Sequence, residues 1–134
     1  MGTIKSYTDL GQSKKLAEIL PHESADMCYR YYSGGMITGY GDCVLAKSFI
    51  TGKNVIREND LPCWSLAALL SVLPKGEYKD TDLCCGGYKG DKYIPEWFCS
   101  YEQQEPIIIE ICHADNPVDA CVEMILKLHE RKML

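Results

Sequence analysis

Two adjacent cysteines followed by two glycines, Cys84-Cys85-Gly86-Gly87, are the residues whose types could most directly do chemistry. Thiolates bind zinc and carry redox chemistry, and His113 could supply a further metal ligand. Adjacent cysteines fit one tetrahedral ion poorly, however, and the chain contains no C-x-x-C pair. The glycines favour a turn between the second helix and the last hairpin. We therefore expect no bound metal or cofactor, and Cys84, Cys85 and His113 are the metal ligands under the alternative.

A cysteine nucleophile is the second chemistry that these residue types allow. Cys112 directly precedes His113, but neighbouring side chains on a strand point to opposite faces and cannot exchange a proton directly. His22 or His129 could reach Cys112 in space, although His129 falls on the apolar stripe of the last helix, where a packed side chain is expected. No nucleophile, base and orienting acid come together in the sequence. We predict a protein that is not an enzyme, with a cysteine-dependent enzyme or metal-binding protein as the alternative.

The tyrosines are the least ordinary feature of the composition. The chain has nine, and four of them, Tyr29, Tyr31, Tyr32 and Tyr40, fall on the first predicted hairpin. Exposed tyrosines on a sheet anchor protein partners or stack on bases, whereas the opposing interpretation is that one side of the hairpin packs inward. We take these four residues as the predicted partner-binding surface.

Charge and hydropathy narrow the choice of partner and compartment. The 134 residues carry a formal net charge of -5 with acids and bases interspersed, so no basic face is available for phosphate backbones. Nucleic-acid binding is therefore the third hypothesis, behind protein binding. No apolar run reaches the roughly 20 residues of a membrane span, and the N-terminus lacks the apolar core of a signal peptide. We expect a cytoplasmic protein, without membrane contact, whose eight cysteines are free thiols.

Apolar periodicity predicts three helices and several hairpins. The predicted helices cover residues 9–20, 59–74 and about 117–130, and the predicted strands cover 27–32, 36–40, 43–50, 54–58, 96–101 and 107–112. Helices on one face of a mainly antiparallel sheet make the expected fold class α+β. No linker divides the chain, so residues 1–134 are expected to form one globular domain.

Local signals indicate where the helices begin. Thr8 is placed to cap the first helix, Asp60 or Ser65 the second, and Asn116 the third. Trp64, at the start of the second helix, is expected to anchor the core rather than to bind a ligand.

Three segments, residues 8–27, 61–74 and 113–130, together resemble a family of small uncharacterised proteins from gut Bacteroides genomes, often in prophage or mobile-element regions. The resemblance brings no catalytic motif, so it assigns no role to any residue. What it implies is a setting in a mobile element or its bacterial host. The expected function is that of a non-enzymatic accessory protein that binds another protein, or a second copy of itself, through its sheet face or third helix.

Overall fold

The computed structural model describes residues 5–34, 38–48, 50–86, 88–89, 91–93 and 96–134, and its fold is α+β, as the sequence predicts. In chain order the elements are α1 (Leu10–Ala17), β1 (Met27–Tyr32), β2 (Gly39–Leu45), β3 (Leu61–Cys63), α2 (Leu66–Val72), β4 (Lys79–Cys85), β5 (Tyr88–Lys89), β6 (Lys92–Tyr93), β7 (Trp97–Gln103), β8 (Ile108–Ala114) and α3 (Pro117–Glu130). No helix within these described ranges is both long and apolar enough to cross a membrane.

The chain forms two compact units, Tyr7–Ala68 and Leu69–Leu134 together with residues 5 and 6, called the first and second unit below. The first unit contains an antiparallel sheet in the order β2-β1-β3, the first sheet. The second unit contains an antiparallel sheet in the order β4-β7-β8, the second sheet, and the two-stranded ribbon β5-β6. A single domain over residues 1–134 stays a prediction.

The first helix begins one residue later than predicted, because Asp9 and not Thr8 caps it. The Asp9 carboxylate accepts a hydrogen bond from the Gln12 backbone N–H at 2.8 Å, and the Gln12 side chain accepts one from the Asp9 N–H. This reciprocal pair is a capping box, which satisfies two N–H groups that the helix itself leaves unpaired. Thr8 is instead fully buried, and its hydroxyl accepts a bond from the Trp64 N–H.

The helix predicted over residues 59–74 was wrong in its first half. Leu61–Cys63 form β3, which pairs with β1, and the Thr8 N–H donates to the Trp64 carbonyl at 3.0 Å. Hydrogen bonds to distant segments therefore override an apolar run that suits either a strand or a helix. The Ser65 hydroxyl accepts a hydrogen bond from the Ala68 N–H, so Ser65 caps α2. Of the two predicted caps, Asp60 and Ser65, the second is therefore confirmed.

The segments 43–50 and 54–58, predicted as a strand pair, form a short antiparallel pairing over residues 46–48 and 53–55 instead of two full strands. Residues 43–45 belong to β2, and the two segments meet at an isolated bridge between Lys47 and Asn54. Phe49 lies outside the described residues. The Ala46 carbonyl also accepts a hydrogen bond from the Val55 N–H at 2.6 Å.

The turn predicted at Cys84 and Cys85 was wrong, because both residues end β4. That strand pairs with β7 along its whole length, from Lys79 opposite Gln103 to Cys85 opposite Trp97. Gly86, directly after the strand, has a φ of 88°, a backbone conformation that favours glycine. Gly87 and Gly90, also assigned to this turn, lie outside the described residues.

The second unit places α3 against one face of the second sheet. The helix packs on β7 and β8, and its apolar stripe is buried as predicted, at Val118, Cys121, Val122, Ile125 and Leu128. The Lys127 ammonium lies 3.0 Å from the Glu110 carboxylate, and Arg131 pairs with the same carboxylate. His129 is exposed, so its expected packing on the apolar stripe was wrong.

The third helix begins at the predicted cap, and removing that cap has a predictable cost. The Asn116 side-chain oxygen accepts the Asp119 N–H at 2.9 Å, so Asn116→Ala should lower the free energy of unfolding by about 1 kcal/mol. Urea denaturation measures this difference. Asn116→Ser retains a capping oxygen and should lose much less. An equal loss in both variants would show that the cap does not stabilise α3.

Candidate functional site

The second sheet has one covered and one open face. Thr81, Tyr101, Cys99 and Cys112 are buried on the face towards α3. Because side chains alternate along a strand, the residues between them point the other way. We call this second set the outer face; across the three strands it consists of Asp80, Glu102 and Ile109, then Asp82, Ser100 and Ile111, then Cys84, Phe98 and His113.

Isoleucines line the β8 side of the outer face. Ile109 is 61% exposed and Ile111 is 48% exposed, and Ile107, just before β8, is 80% exposed. Scattered exposed apolar residues are ordinary on protein surfaces, but Ile109 and Ile111 are neighbours on one face of an edge strand and form an apolar strip, with Ile107 in the turn just before it. Their alternation was visible in the sequence, whereas their exposure was not.

Carboxylates line the β4 side of the same face. Asp80, Asp82 and Glu102 are all exposed, and Asp80 and Glu102 lie directly opposite each other on β4 and β7. One strand, β7, lies between β4 and β8, so Asp80 and Asp82 on β4 form an acidic row about 10 Å from the apolar strip and parallel to it. The outer face therefore combines an apolar edge with a negative edge.

The proposed metal ligands are not brought together on this sheet. Cys84 and His113 lie on either side of Phe98, with which each is paired, and the Phe98 and His113 rings are 5.7 Å apart between centroids. Cys85, the next residue along β4, points to the opposite face. Within the described part of the chain, no group of three or more histidine, cysteine or acidic side chains has a geometry that could hold a metal ion.

The four tyrosines of the predicted partner surface differ in their exposure to solvent. The Tyr29 hydroxyl donates to the Thr8 carbonyl at 2.8 Å, and the Tyr31 and Tyr40 rings meet edge to face at 5.4 Å. These three are half-buried, whereas Tyr32 is 45% exposed. A Cβ at Gly41 would lie 2.6 Å from the Tyr32 ring, so glycine at that position leaves room for it.

A pair of thiols lies in the first unit, at positions that sequence reasoning did not single out. The Cys43 sulfur on β2 donates to the Cys63 sulfur on β3 at 3.6 Å. Both residues point to the same side of the sheet, since Cys43 is opposite Tyr29 and Cys63 is opposite Met27 on β1. Cys63 is fully buried, but Cys43 is partly exposed.

Hydrogen bonds around Cys63 favour its thiolate. The Cys43 thiol donates to it, and the Thr8 hydroxyl, 3.4 Å away, and the Ser13 hydroxyl also stabilise the negative sulfur. These bonds outweigh burial and lower the pKa of Cys63 to about 7. The hydrogen bond that the Cys43 thiol donates to Cys63, together with burial, raises the pKa of Cys43.

The second unit also contains neighbouring thiols, but these are buried away from solvent. Cys99 on β7 is hydrogen-bonded to Cys121 on α3, and both are fully buried. Cys112 is paired with Cys99 across the sheet, and burial raises the pKa of the Cys112 thiol. A raised pKa leaves less thiolate at neutral pH, which makes Cys112 a poor nucleophile.

The fold and these surfaces define an α+β protein built from antiparallel hairpins. The chain matches no protein-family model, no curated protein and no solved structure.

Proposed function

We propose that this protein is a protein-binding module and that it binds its partner through the outer face of the second sheet. The observation that carries the proposal is the exposed isoleucine strip on a sheet whose other face is already covered by α3. The setting in a mobile element or its bacterial host, implied by the sequence resemblance, is part of the same proposal.

The size of the outer face favours a helix as the binding segment of the partner. An α-helix with its side chains is about 10 Å across, which is also the approximate distance between β4 and β8. On the opposite face, α3 already packs on β7 and β8 in this way. An amphipathic helix laid on the outer face would complete a three-layer arrangement of helix, sheet and helix.

The charge on the outer face favours a basic partner over a second copy of this chain. An apolar stripe on the incoming helix would cover Ile109 and Ile111, while lysine or arginine beside that stripe would meet Asp80 and Asp82. Two outer faces packed together would place these acids near one another. We therefore propose a different protein with a basic amphipathic helix as the partner.

Substitution of one isoleucine tests this proposal. Ile109→Lys should reduce the amount of partner retained from host lysate by about tenfold to a hundredfold, the cost of no longer burying one isoleucine. The matched control is Ile50→Lys, since Ile50 is 95% exposed in the first unit and lies far outside the proposed surface in sequence. Retention should also fall with rising salt, because exposed acids contribute to it. Mass spectrometry of the retained protein measures both effects.

Three outcomes would contradict the proposal. Equal retention by the Ile109→Lys and Ile50→Lys variants would remove the outer face as the binding surface. Recovery of this chain alone, with a dimer that Ile109→Lys dissociates in sedimentation, would replace the basic partner with a second copy. Loss of retention on Tyr32→Ala but not on Ile109→Lys would return the binding surface to the tyrosines.

A further inference from the structure

We propose that Cys43 and Cys63 bind one monovalent copper ion, Cu(I), in the first unit. This inference is independent of the binding function proposed above. It rests on two sulfur atoms that are 20 positions apart in sequence and 3.6 Å apart in the fold. Thiolates are soft ligands, and soft ligands favour Cu(I) over the harder cations that carboxylates and carbonyl groups bind.

The order of the strands determines what can join the two cysteines. Cys43 on β2 and Cys63 on β3 lie on either side of β1, and two strand spacings amount to roughly 10 Å. The Cα atoms of a disulfide are at most about 7 Å apart, so a direct S–S bond is too short for this pair. A metal ion makes a longer bridge, because it lies between two sulfurs that already face each other across β1.

The distance between the sulfurs suits an ion with two or three sulfur ligands. Metal–sulfur bonds of about 2.3 Å that meet at an angle of about 120° place two sulfurs about 4.0 Å apart. The sulfurs are now 3.6 Å apart, so they need to separate by about 0.4 Å. The ion takes the place of the hydrogen that Cys43 donates to Cys63, and both thiols release their protons as it binds.

The surroundings of the pair fix one ligand and leave the other within reach. Cys63 is fully buried, and the Thr8 hydroxyl donates a hydrogen bond to its sulfur at 3.4 Å. Such a donor orients a metal ligand and stabilises its negative charge. Cys43 is partly exposed, so a small carrier molecule can bring Cu(I) to its sulfur and pass the ion on by ligand exchange.

Other metals and other thiols fit less well. Structural zinc takes four ligands, and in the described part of the chain no group of three or more histidine, cysteine or acidic side chains could hold an ion. Cys99 and Cys121 are also hydrogen-bonded to each other, but both are fully buried. Cys84 and Cys85 are exposed, but as neighbours on β4 they point to opposite faces. The thiol pair of the first unit therefore combines close sulfurs with access for the ion.

The test uses the full chain with Cys84→Ser and Cys85→Ser, which removes the two exposed thiols. This reduced parent protein is titrated without oxygen into the coloured Cu(I) complex of bathocuproine disulfonate, whose loss of absorbance measures transfer of the ion. We expect one Cu(I) per chain in a monomer by native mass spectrometry, with sulfur ligands at about 2.3 Å in X-ray absorption. No transfer of the ion, or one ion held between two chains, would overturn the proposal.

Single variants of the parent protein identify the ligands. Cys43→Ser and Cys63→Ser should each weaken Cu(I) binding by more than about a hundredfold, because losing a ligand costs more than losing a group that orients it. The matched control is Cys28→Ala, which should leave the affinity unchanged, since Cys28 on β1 points to the opposite side of the first sheet from Met27 and Tyr29. Equal binding by Cys43→Ser and the control would overturn the assignment.

Two measurements on the parent protein decide the proposal even if a variant does not fold. In the Cu(I)-loaded protein, Cys43 should react with N-ethylmaleimide much more slowly than in the metal-free protein, because its sulfur is bound to the ion. An unchanged rate would show that the ion lies elsewhere. Zn²⁺ should be lost on dialysis, because two thiolates leave its coordination incomplete, and retention of Zn²⁺ as tight as that of Cu(I) would overturn the choice of metal.

Discussion

Replacing Trp64 with alanine is expected to lower the free energy of unfolding by about 4 kcal/mol. The ring is fully buried in the first unit, and its Nε1–H donates to the Ser24 hydroxyl at 2.9 Å. Truncation removes a large buried apolar surface and leaves a cavity that the short β3 and its neighbours can close only in part. Urea denaturation followed by circular dichroism measures the change.

A phenylalanine at the same position separates packing from hydrogen bonding. Trp64→Phe retains most of the buried surface and loses the bond to Ser24, so we expect a loss of about 1 to 2 kcal/mol. If alanine costs no more than phenylalanine, the ring does not anchor the core of the first unit.

The alanine variant also tests whether the chain is one domain. Trp97, which belongs to the second unit, is then the sole tryptophan, so its fluorescence reports on that unit. In a single cooperative domain, the fluorescence and circular dichroism midpoints should fall together. A Trp97 midpoint unchanged by the substitution would contradict the single domain predicted from the sequence.

Replacing Asp60 with alanine is expected to lower the free energy of unfolding by about 3 kcal/mol. The buried carboxylate accepts hydrogen bonds from the backbone N–H groups of Tyr31, at 2.9 Å, and Arg57, at 3.0 Å. It also accepts from the Arg57 Nε–H at 3.1 Å, and the Arg30 guanidinium lies 3.4 Å away. Alanine would leave these N–H donors without their acceptor, and it would leave a gap where the carboxylate now lies.

The effect of Asp60 depends on pH in a defined direction. Burial opposes the charge, but the Arg57 side chain and the two backbone N–H groups outweigh it and hold the pKa of Asp60 below its ordinary value. Its contribution to stability is therefore present above about pH 4, the range of an unfolded aspartate, and is lost as the pH falls through the lower folded pKa.

Asp60→Asn is the matched control for this pH dependence, because it keeps the shape of the side chain without the charge. The difference in free energy of unfolding between the parent protein and Asp60→Asn should be constant from about pH 5 to 7 and shrink towards pH 2. Urea titrations at several pH values measure this difference. A difference that grows with acid would show that the carboxylate is not stabilised as the geometry indicates.

Local sequence signals predicted the elements whose stability is mostly local. The third helix begins at Asn116 and buries the expected stripe, because its cap and its periodicity agree. The strands β1, β7 and β8 also fall near their predicted positions. In each case alternating or helical periodicity was unambiguous over at least six residues.

Distant pairing decided the elements that were predicted wrongly. Leu61–Cys63 is a strand because β1 supplies its partner, and Lys79–Cys85 is a strand because β7 does. Neither partner can be identified from the residues of the segment itself. The capping role moved from Thr8 to Asp9 for a similar reason, since the Thr8 hydroxyl bonds to Trp64 instead.

Composition and short-range periodicity were enough to predict the α+β class, the third helix and the many thiols and tyrosines, because these features depend only on residues close together in the chain. Which of these residues come into contact depends on the three-dimensional fold. It separates Cys84 from His113 by a phenylalanine, exposes one row of isoleucines, and brings Cys43 within 3.6 Å of Cys63. Such proximity depends on strand order and register, which arise from contacts between segments far apart in the chain.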